Sequence, residues 1–211
     1  RNVIAVSDAV KAEHVSLAEP TATALHALNL ARKASDRPLA ELKTLVIGGG
    51  AVGLVAALLL KGYGCKQITV SEPNSMRRQS AERNVECRVH DPINDPSLEA
   101  NQFDLVVDAV GGGITRRTGM TAIKSGGIFI HIGLMDEKGD LDIRKLTLFE
   151  ITFIGVYCYT PADVRAAVQA IQEGLLGDMN WVETRPLADG AQAFDDLHND
   201  RSAAAKLVLM P

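Results

Sequence analysis

The chain has 211 residues and a formal net charge of −4, from 22 Lys and Arg against 26 Asp and Glu. At roughly 100–200 residues per domain that is one large domain or one domain with an appendage, and 46% hydrophobic with 23% charged residues exclude a disordered chain. Scattered Lys and Arg on a mildly acidic chain leave no footprint for nucleic acid. The longest apolar run, Leu54 to Leu60, is far short of the ~20 residues of a membrane helix, so no membrane partner is expected.

Residues 1–10 alternate like a short strand running into a loop, without the apolar core or cleavage site of a signal peptide. With no initiator Met, the expectation is that the front of a longer protein is missing. Over 15–33, Val15, Ala18, Ala22, Leu25 and Leu28 recur at helical spacing, and Arg32-Lys33 suits the negative end of a helix dipole. After a loop at 34–38 the texture becomes alternating strands and helices. Thr44–Ile47 reads as a buried parallel strand, 51–63 as an apolar helix closed by Gly62 and Gly64, and Gln67–Ser71 as a second strand. A polar helix over 74–84, a weak strand at 86–89 and a Pro- and Asp-rich loop at 91–97 follow. Asp104–Val110, Gly127–Gly133 and Ile151–Val156 read as three more strands, and 162–174 as a helix after Thr160-Pro161. The tail holds a turn, a helix over Gly190–Asn199 and a strand over Lys206–Met210.

Strands separated by helix-length segments imply right-handed crossovers and a parallel sheet covered on both faces. The expected fold is therefore α/β, a doubly wound parallel Rossmann sheet over 35–176. Residues 1–34 and 177–211 do not extend the pattern and are read as flanking segments of something outside the sheet. Cys65, Cys87 and Cys158 are far apart and form neither a disulfide framework nor a metal-site spacing. Each is read as a buried apolar thiol in a reducing compartment, which points to the cytoplasm.

Gly48-Gly49-Gly50-Ala51-Val52-Gly53 satisfies G-x-G-x-x-G, directly after a strand and opening a helix. Gly48 permits a tight turn, Gly50 lets the backbone approach a pyrophosphate, and Gly53 lets the helix pack on the strand. The N–H groups near Val52 would face the phosphates. Glu72 ends the next strand, where a carboxylate accepts both ribose hydroxyls of an adenosine and repels a 2′-phosphate. Arg77 and Arg78 nearby could instead accommodate that phosphate, but Glu72 holds the better position, which favours NAD over NADP. The stretches Val110-Gly111-Gly112-Gly113 and Ile132-Gly133-Leu134 also end strands. Crowding against a nicotinamide ring explains their glycines, and ordinary strand-to-loop turns explain them equally well.

Four stretches together resemble the medium-chain dehydrogenase/reductase superfamily, and within it the zinc-dependent, sorbitol-dehydrogenase-like alcohol and polyol dehydrogenases. They are Leu17-Ala18-Glu19-Pro20 with its helix, Val46 to Gly53, Asp104 to Gly111, and Ala193-Phe194 through Lys206-Leu207-Val208-Leu209. The resemblance implies an oxidoreductase that moves a hydride between a secondary alcohol or polyol and NAD, with Zn²⁺ in the intact protein. It implies that Glu19 lies beside the catalytic zinc, as ligand or as partner of the bound water or substrate. It also matches Arg77 to a contact with the adenosine ribose or its phosphate. Val110, Gly111, Ile132, Gly133, Leu134 and Val156 correspond to cofactor-facing positions, and Lys206 to a basic residue near the pyrophosphate.

On the substrate side Cys158 stands where sorbitol dehydrogenases carry Arg, followed by Tyr159 as a candidate catalytic residue. The GroES-like domain that supplies the family's other zinc ligands, and the four-cysteine structural lobe, are absent from these residues. The chain alone is therefore expected to bind NAD(H) without turnover. The rival readings are a zinc-independent NADPH quinone reductase, a methyltransferase and a non-catalytic redox sensor. In this superfamily the strand matching 151–156 joins subunits, which implies a homodimer or homotetramer.

Overall fold

The computed structural model describes residues 3–95, 98 and 100–211. The opening strand expected over 1–10 does not form. Residues 3–10 are extended and then turn, with Val10 N–H bonded to Ser7 O, and no described strand pairs with them. Residues 1 and 2, and the last two of the loop expected over 91–97, lie outside the described residues. A one-turn helix α1 (Ala12–Val15) precedes α2 (Ala18–Ala34), so the helix expected from 15 starts three residues later.

Six strands follow: β1 (Thr44–Ile47), β2 (Ile68–Ser71), β3 (Arg88–His90), β4 (Phe103–Asp108), β5 (Ile123–His131) and β6 (Thr152–Gly155). They form one sheet in the order β3-β2-β1-β4-β5-β6, parallel throughout. This is the doubly wound arrangement in which the chain reverses direction beside β1, and ligands of such sheets bind at that reversal, outside the carboxyl ends of the strands. The residues of β1 and β2 are buried on both faces, which is why these strands read as apolar runs rather than alternations.

The connecting helices are α3 (Ala51–Gly62), α4 (Ser75–Val85), α5 (Gly113–Ala122), α6 (Ile143–Leu148) and α7 (Pro161–Gln172). One core joins α2, α3 and α7 to the sheet through Leu28, Leu54, Leu59, Val70, Leu105 and Ile130. A second joins α5 to the opposite face through Leu45, Val106, Met120 and Phe129. Each fully buried leucine contributes about 2 kcal/mol. Asp163 fastens α2 to α7, accepting from Asn29 Nδ2 at 3.3 Å and pairing with His26 Nδ1 at 3.0 Å.

Three elements escape the sequence pattern. Helix α5 opens on glycine and carries three threonines. Its Gly119 leaves the room Phe129 occupies, since a Cβ there would lie 2.5 Å from the ring. Helix α6 is short and buries none of its residues, so it shows no apolar stripe. Strand β7 (Val182–Pro186) is polar and ends on proline. It pairs in parallel with β8 (Lys206–Met210) as a separate two-stranded sheet, flanking α8 (Gly190–His198).

The cysteine reading needs one correction. Cys65 is buried and Cys87 half-buried, and burial pushes both thiols up to about 11. Cys158 is exposed, in a left-handed turn at φ 51° that carries the chain from β6 toward α7.

Candidate functional site

The carboxyl ends of β1, β2, β4, β5 and β6 bring most of the sequence-predicted site residues to one rim of the sheet. Leaving β1, the chain turns at Gly48 with φ 97°, a conformation that glycine adopts without strain. A Cβ at Gly48 would lie 2.7 Å from Val110 Cγ2, so the glycine loop and the loop after β4 are in direct contact. A Cβ at Gly53 would lie 1.9 Å from Gly48 O, so α3 packs against the turn backbone to backbone. Gly50 differs from both. It caps α3 with extended backbone and no side-chain capping bond, and a Cβ there would meet nothing within 4 Å. The space beside Gly50 is open next to the N–H groups that begin α3 at Ala51 and Val52, an arrangement that offers donors to an anion.

Glu72 follows β2 directly and is 4% exposed. Its Oε2 accepts the Gly49 N–H at 2.7 Å and its Oε1 accepts the Asn74 N–H at 2.8 Å. Held on both sides, the carboxylate has a fixed orientation beside the glycine loop, and each oxygen keeps acceptor capacity for a further donor. Asn74 in turn caps α4, its Oδ1 accepting from Met76 and Arg77 N–H.

The two arginines separate cleanly. Arg78 donates through Nη1 to Glu72 O (2.8 Å) and Pro73 O (2.6 Å) and pairs through Nη2 with Asp91 at 2.7 Å. Its donors hold the β2–α4 turn and the loop after β3. Arg77 pairs only loosely with Asp200, at 3.6 Å, and its Nε is buried without a hydrogen-bond partner among the described residues.

The rim beyond β4 is built on residues the sequence reading did not single out. Asp108, 0% exposed, ends β4. Its Oδ1 accepts from Val110 N–H (3.0 Å) and Gly111 N–H (2.9 Å), and its Oδ2 accepts from the Thr115 hydroxyl (3.0 Å). These bonds end the strand two residues before the apolar run ends. Arg116 donates to Gly111 O and Lys138 O, each at 2.8 Å, and lies 3.4 Å from His131 Nε2. Burial, more than the guanidinium, holds the His131 imidazole below its usual pKa against the opposing pull of Asp108. Asp136 accepts from Gly113 N–H at 2.8 Å. Gly111, at φ 73°, crosses Gly133 so closely that a Cβ would lie 1.8 Å from Gly133 O. A charged residue closing an apolar strand at its carboxyl end was the available signal for Asp108.

The description "Zinc-binding dehydrogenase" matches residues 51–173, more than half of the chain. The chain belongs to that family. A probable diacetyl reductase ((R)-acetoin forming) of Saccharomyces cerevisiae is 28% identical over 98% of this chain and 52% of its own length. The L-galactonate-5-dehydrogenase of Escherichia coli is 29% identical over 92% of this chain and 58% of its own length. The structure of acetophenone reductase from Geotrichum candidum, solved in complex with NAD, superposes with a TM-score of 0.85 at 25% identity, over 99% of this chain and 58% of that one. The chain thus spans about half the length of the curated relatives it matches.

In this member of the family the remaining sequence-predicted residues lie as follows. Ile132 is half-buried against the core, Leu134 is 80% exposed at the rim, and Val156 is buried with its N–H on His131 O. Tyr159 is half-buried between β6 and α7. Glu19 is exposed in the first turn of α2, and Lys206 opens β8, in register with Val182. Among the described residues no three His, Cys, Asp or Glu side chains stand close enough to hold a metal ion. Glu19 therefore belongs to no such group among the described residues. No described helix is long and apolar enough to cross a membrane.

Proposed function

We propose that this chain binds the nicotinamide cofactor in a dehydrogenase that moves a hydride between a secondary alcohol or polyol and NAD. The observation that carries the reading is Glu72, a buried carboxylate fixed by the Gly49 and Asn74 amides beside a glycine loop whose helix start is open. When bound, NAD supplies the acceptor for the hydride; the chain supplies position and electrostatics. Gly50, Ala51 and Val52 hold the pyrophosphate, with Gly48 and Gly53 keeping turn and helix in contact, and Lys206 adds positive charge. Glu72 accepts the adenosine ribose hydroxyls. Val110, Gly111, Ile132, Gly133, Leu134 and Val156 line the nicotinamide end. Arg78 is engaged by two carbonyls and Asp91, which weighs against the NADPH quinone-reductase reading. The family relationship supports a zinc-dependent reaction, with Glu19 as ligand or as partner of the bound water or substrate, the other zinc ligands outside the described residues, and Tyr159 on the substrate side.

Residues 35–176 form the cofactor domain on this reading, with 1–34 and 177–211 belonging to the catalytic part. β6 closes one edge of the sheet, where its backbone is open to a second copy of the chain. A homodimer or homotetramer through 151–156 follows, to be checked by sedimentation, a monomer well above micromolar concentration counting against it. Three free cysteines support a reducing, cytoplasmic setting.

The test is a paired NADH and NADPH titration, read by energy transfer from Trp181 or by calorimetry. NADH should bind more tightly, and Glu72→Gln, which keeps an acceptor but loses the charge, should weaken it about tenfold. Preference for NADPH, or binding of neither, overturns the reading.

A further inference from the structure

The C-terminal segment reaches the ribose end of the site. Asp200, in the turn between α8 and β8, gives its carbonyl oxygen to Asn74 Nδ2 at 3.0 Å. The same Asn74 donates its backbone N–H to Glu72 Oε1. The Asp200 carboxylate lies 3.6 Å from Arg77 Nη1. Asp200 is thus fixed by its backbone one residue away from the proposed ribose carboxylate, with its charge against the arginine that Arg78, fully engaged elsewhere, cannot replace. The Arg77 side chain is 19% exposed and its Nη1 stands 3.6 Å from Asp200, longer than a hydrogen bond, so the guanidinium keeps donor capacity at that end. Only the opposed carboxylate limits its use toward an anion.

We infer that Asp200 is a specificity-determining residue, neutralising Arg77 so that the ribose end of the site takes a free 2′-hydroxyl and rejects a 2′-phosphate. The inference rests on the proposal that Glu72 receives the adenosine ribose. Glu72 and Asp200 then put two carboxylates at this end of the site, Asp200 against the guanidinium. A 2′-phosphate dianion entering there would meet repulsion from both and an arginine already compensated. Removing the charge of Asp200 alone would leave Arg77 free to form the charge-assisted bonds that arginine makes with phosphate. Asp200 sits at φ 54°. Asparagine tolerates that region nearly as well as aspartate does, so Asp200→Asn changes charge with little backbone cost and keeps the carbonyl bond to Asn74.

The experiment measures binding of adenosine 5′-monophosphate and adenosine 2′,5′-bisphosphate by calorimetry to the full chain, Asp200→Asn, and Asp200→Asn combined with Arg77→Ala. The unaltered protein should prefer the monophosphate. Asp200→Asn should shift the ratio toward the bisphosphate by about three- to tenfold, the scale of a partly exposed ion pair. The shift should shrink with added salt and disappear when Arg77 is also removed. An unchanged ratio in Asp200→Asn, or a shift that survives loss of Arg77, overturns the inference while leaving the ribose proposal intact. Failure of the unaltered protein to bind the monophosphate removes the ribose proposal itself, and this inference with it.

Discussion

The two halves of the rim, after β1 and β2 on one side and after β4 and β5 on the other, solve opposite problems. At the first, backbone donors are left open: the start of α3 has no side-chain cap and the space over Gly50 is empty. At the second, donors are used up. Asp108 takes three bonds, Asp136 takes the Gly113 amide, and Arg116 takes two carbonyls. A site needs both kinds of surface, one that offers hydrogen bonds to a charged ligand and one that is finished within itself and can therefore hold a shape against a flat ring. The difference also separates binding from stability, because a group that waits for a ligand contributes little to the fold until the ligand arrives.

The sharpest way to break this comparison is at the glycines, where both halves should fail alike. Gly53→Val and Gly111→Ala each drive a Cβ to within 2 Å of a backbone carbonyl, at 1.9 and 1.8 Å before relaxation. Each should lose about 3 kcal/mol or more in urea unfolding, the upper range for overpacking. A midpoint like that of the unaltered chain for either variant would mean the close crossing is not as described.

Aspartate and glutamate should then part company. Asp108→Ala strands two amides and a hydroxyl in a buried setting, for an expected loss of about 2–3 kcal/mol of stability. Glu72→Gln keeps one of two acceptors and strands a single amide, so its stability loss should be about 1–2 kcal/mol, below that of Asp108→Ala, while NADH affinity falls about tenfold. Urea unfolding and NADH calorimetry on the two variants check the pair. If Glu72→Gln proves the more destabilising of the two, the division between a waiting half and a finished half is wrong. A third variant serves as reference outside the Glu72 and Asp108 bonds. Thr160 caps α7, and Thr160→Ala should cost about 1 kcal/mol with NADH binding unchanged.

The same contrast explains what could be read from the amino-acid sequence. The first half is legible because its constraints fall into a recognisable motif. A turn at φ 97°, a helix start and a strand-ending acid fall within Gly48 to Glu72, and each demands a particular residue type. β1 and β8 have the bounds their apolar runs suggested, and the parallel sheet followed from the alternation of strands and helices. The second half is held by side-chain bonds, Asp108 to Thr115 and Arg116 to Lys138, that belong to no recognisable motif. α5 was missed for a related reason, since the packing of Gly119 on Phe129 makes that segment helical in spite of its glycine and β-branched content. β7 forms because β8 lies beside it, and its own residues carry no strand signal. The opening strand failed conversely: the alternation was present, but no partner was.

The smallest expected effect tests whether the finished half is finished electrically as well. His131 stands at the end of β5, with Arg116 Nη1 3.4 Å and Asp108 Oδ2 3.9 Å from its Nε2. An N–H donated by Arg116 needs the lone pair of that nitrogen, so the neutral imidazole is the form that fits. Burial lowers the folded-state pKa from 6.5, and the guanidinium adds to it, while Asp108 works the other way. A histidine whose pKa is lower folded than unfolded leaves the unfolded chain binding more protons, so stability is full above the unfolded value of about 6.5 and declines as pH falls through it toward the folded one. Urea midpoints measured from pH 8 to 5 should therefore drop modestly below about 6.5, and the drop should be smaller in His131→Gln, which retains an acceptor for Arg116. A midpoint that instead rises on acidification would show Asp108 dominating, and the protonated imidazole would then have no lone pair for the Arg116 N–H.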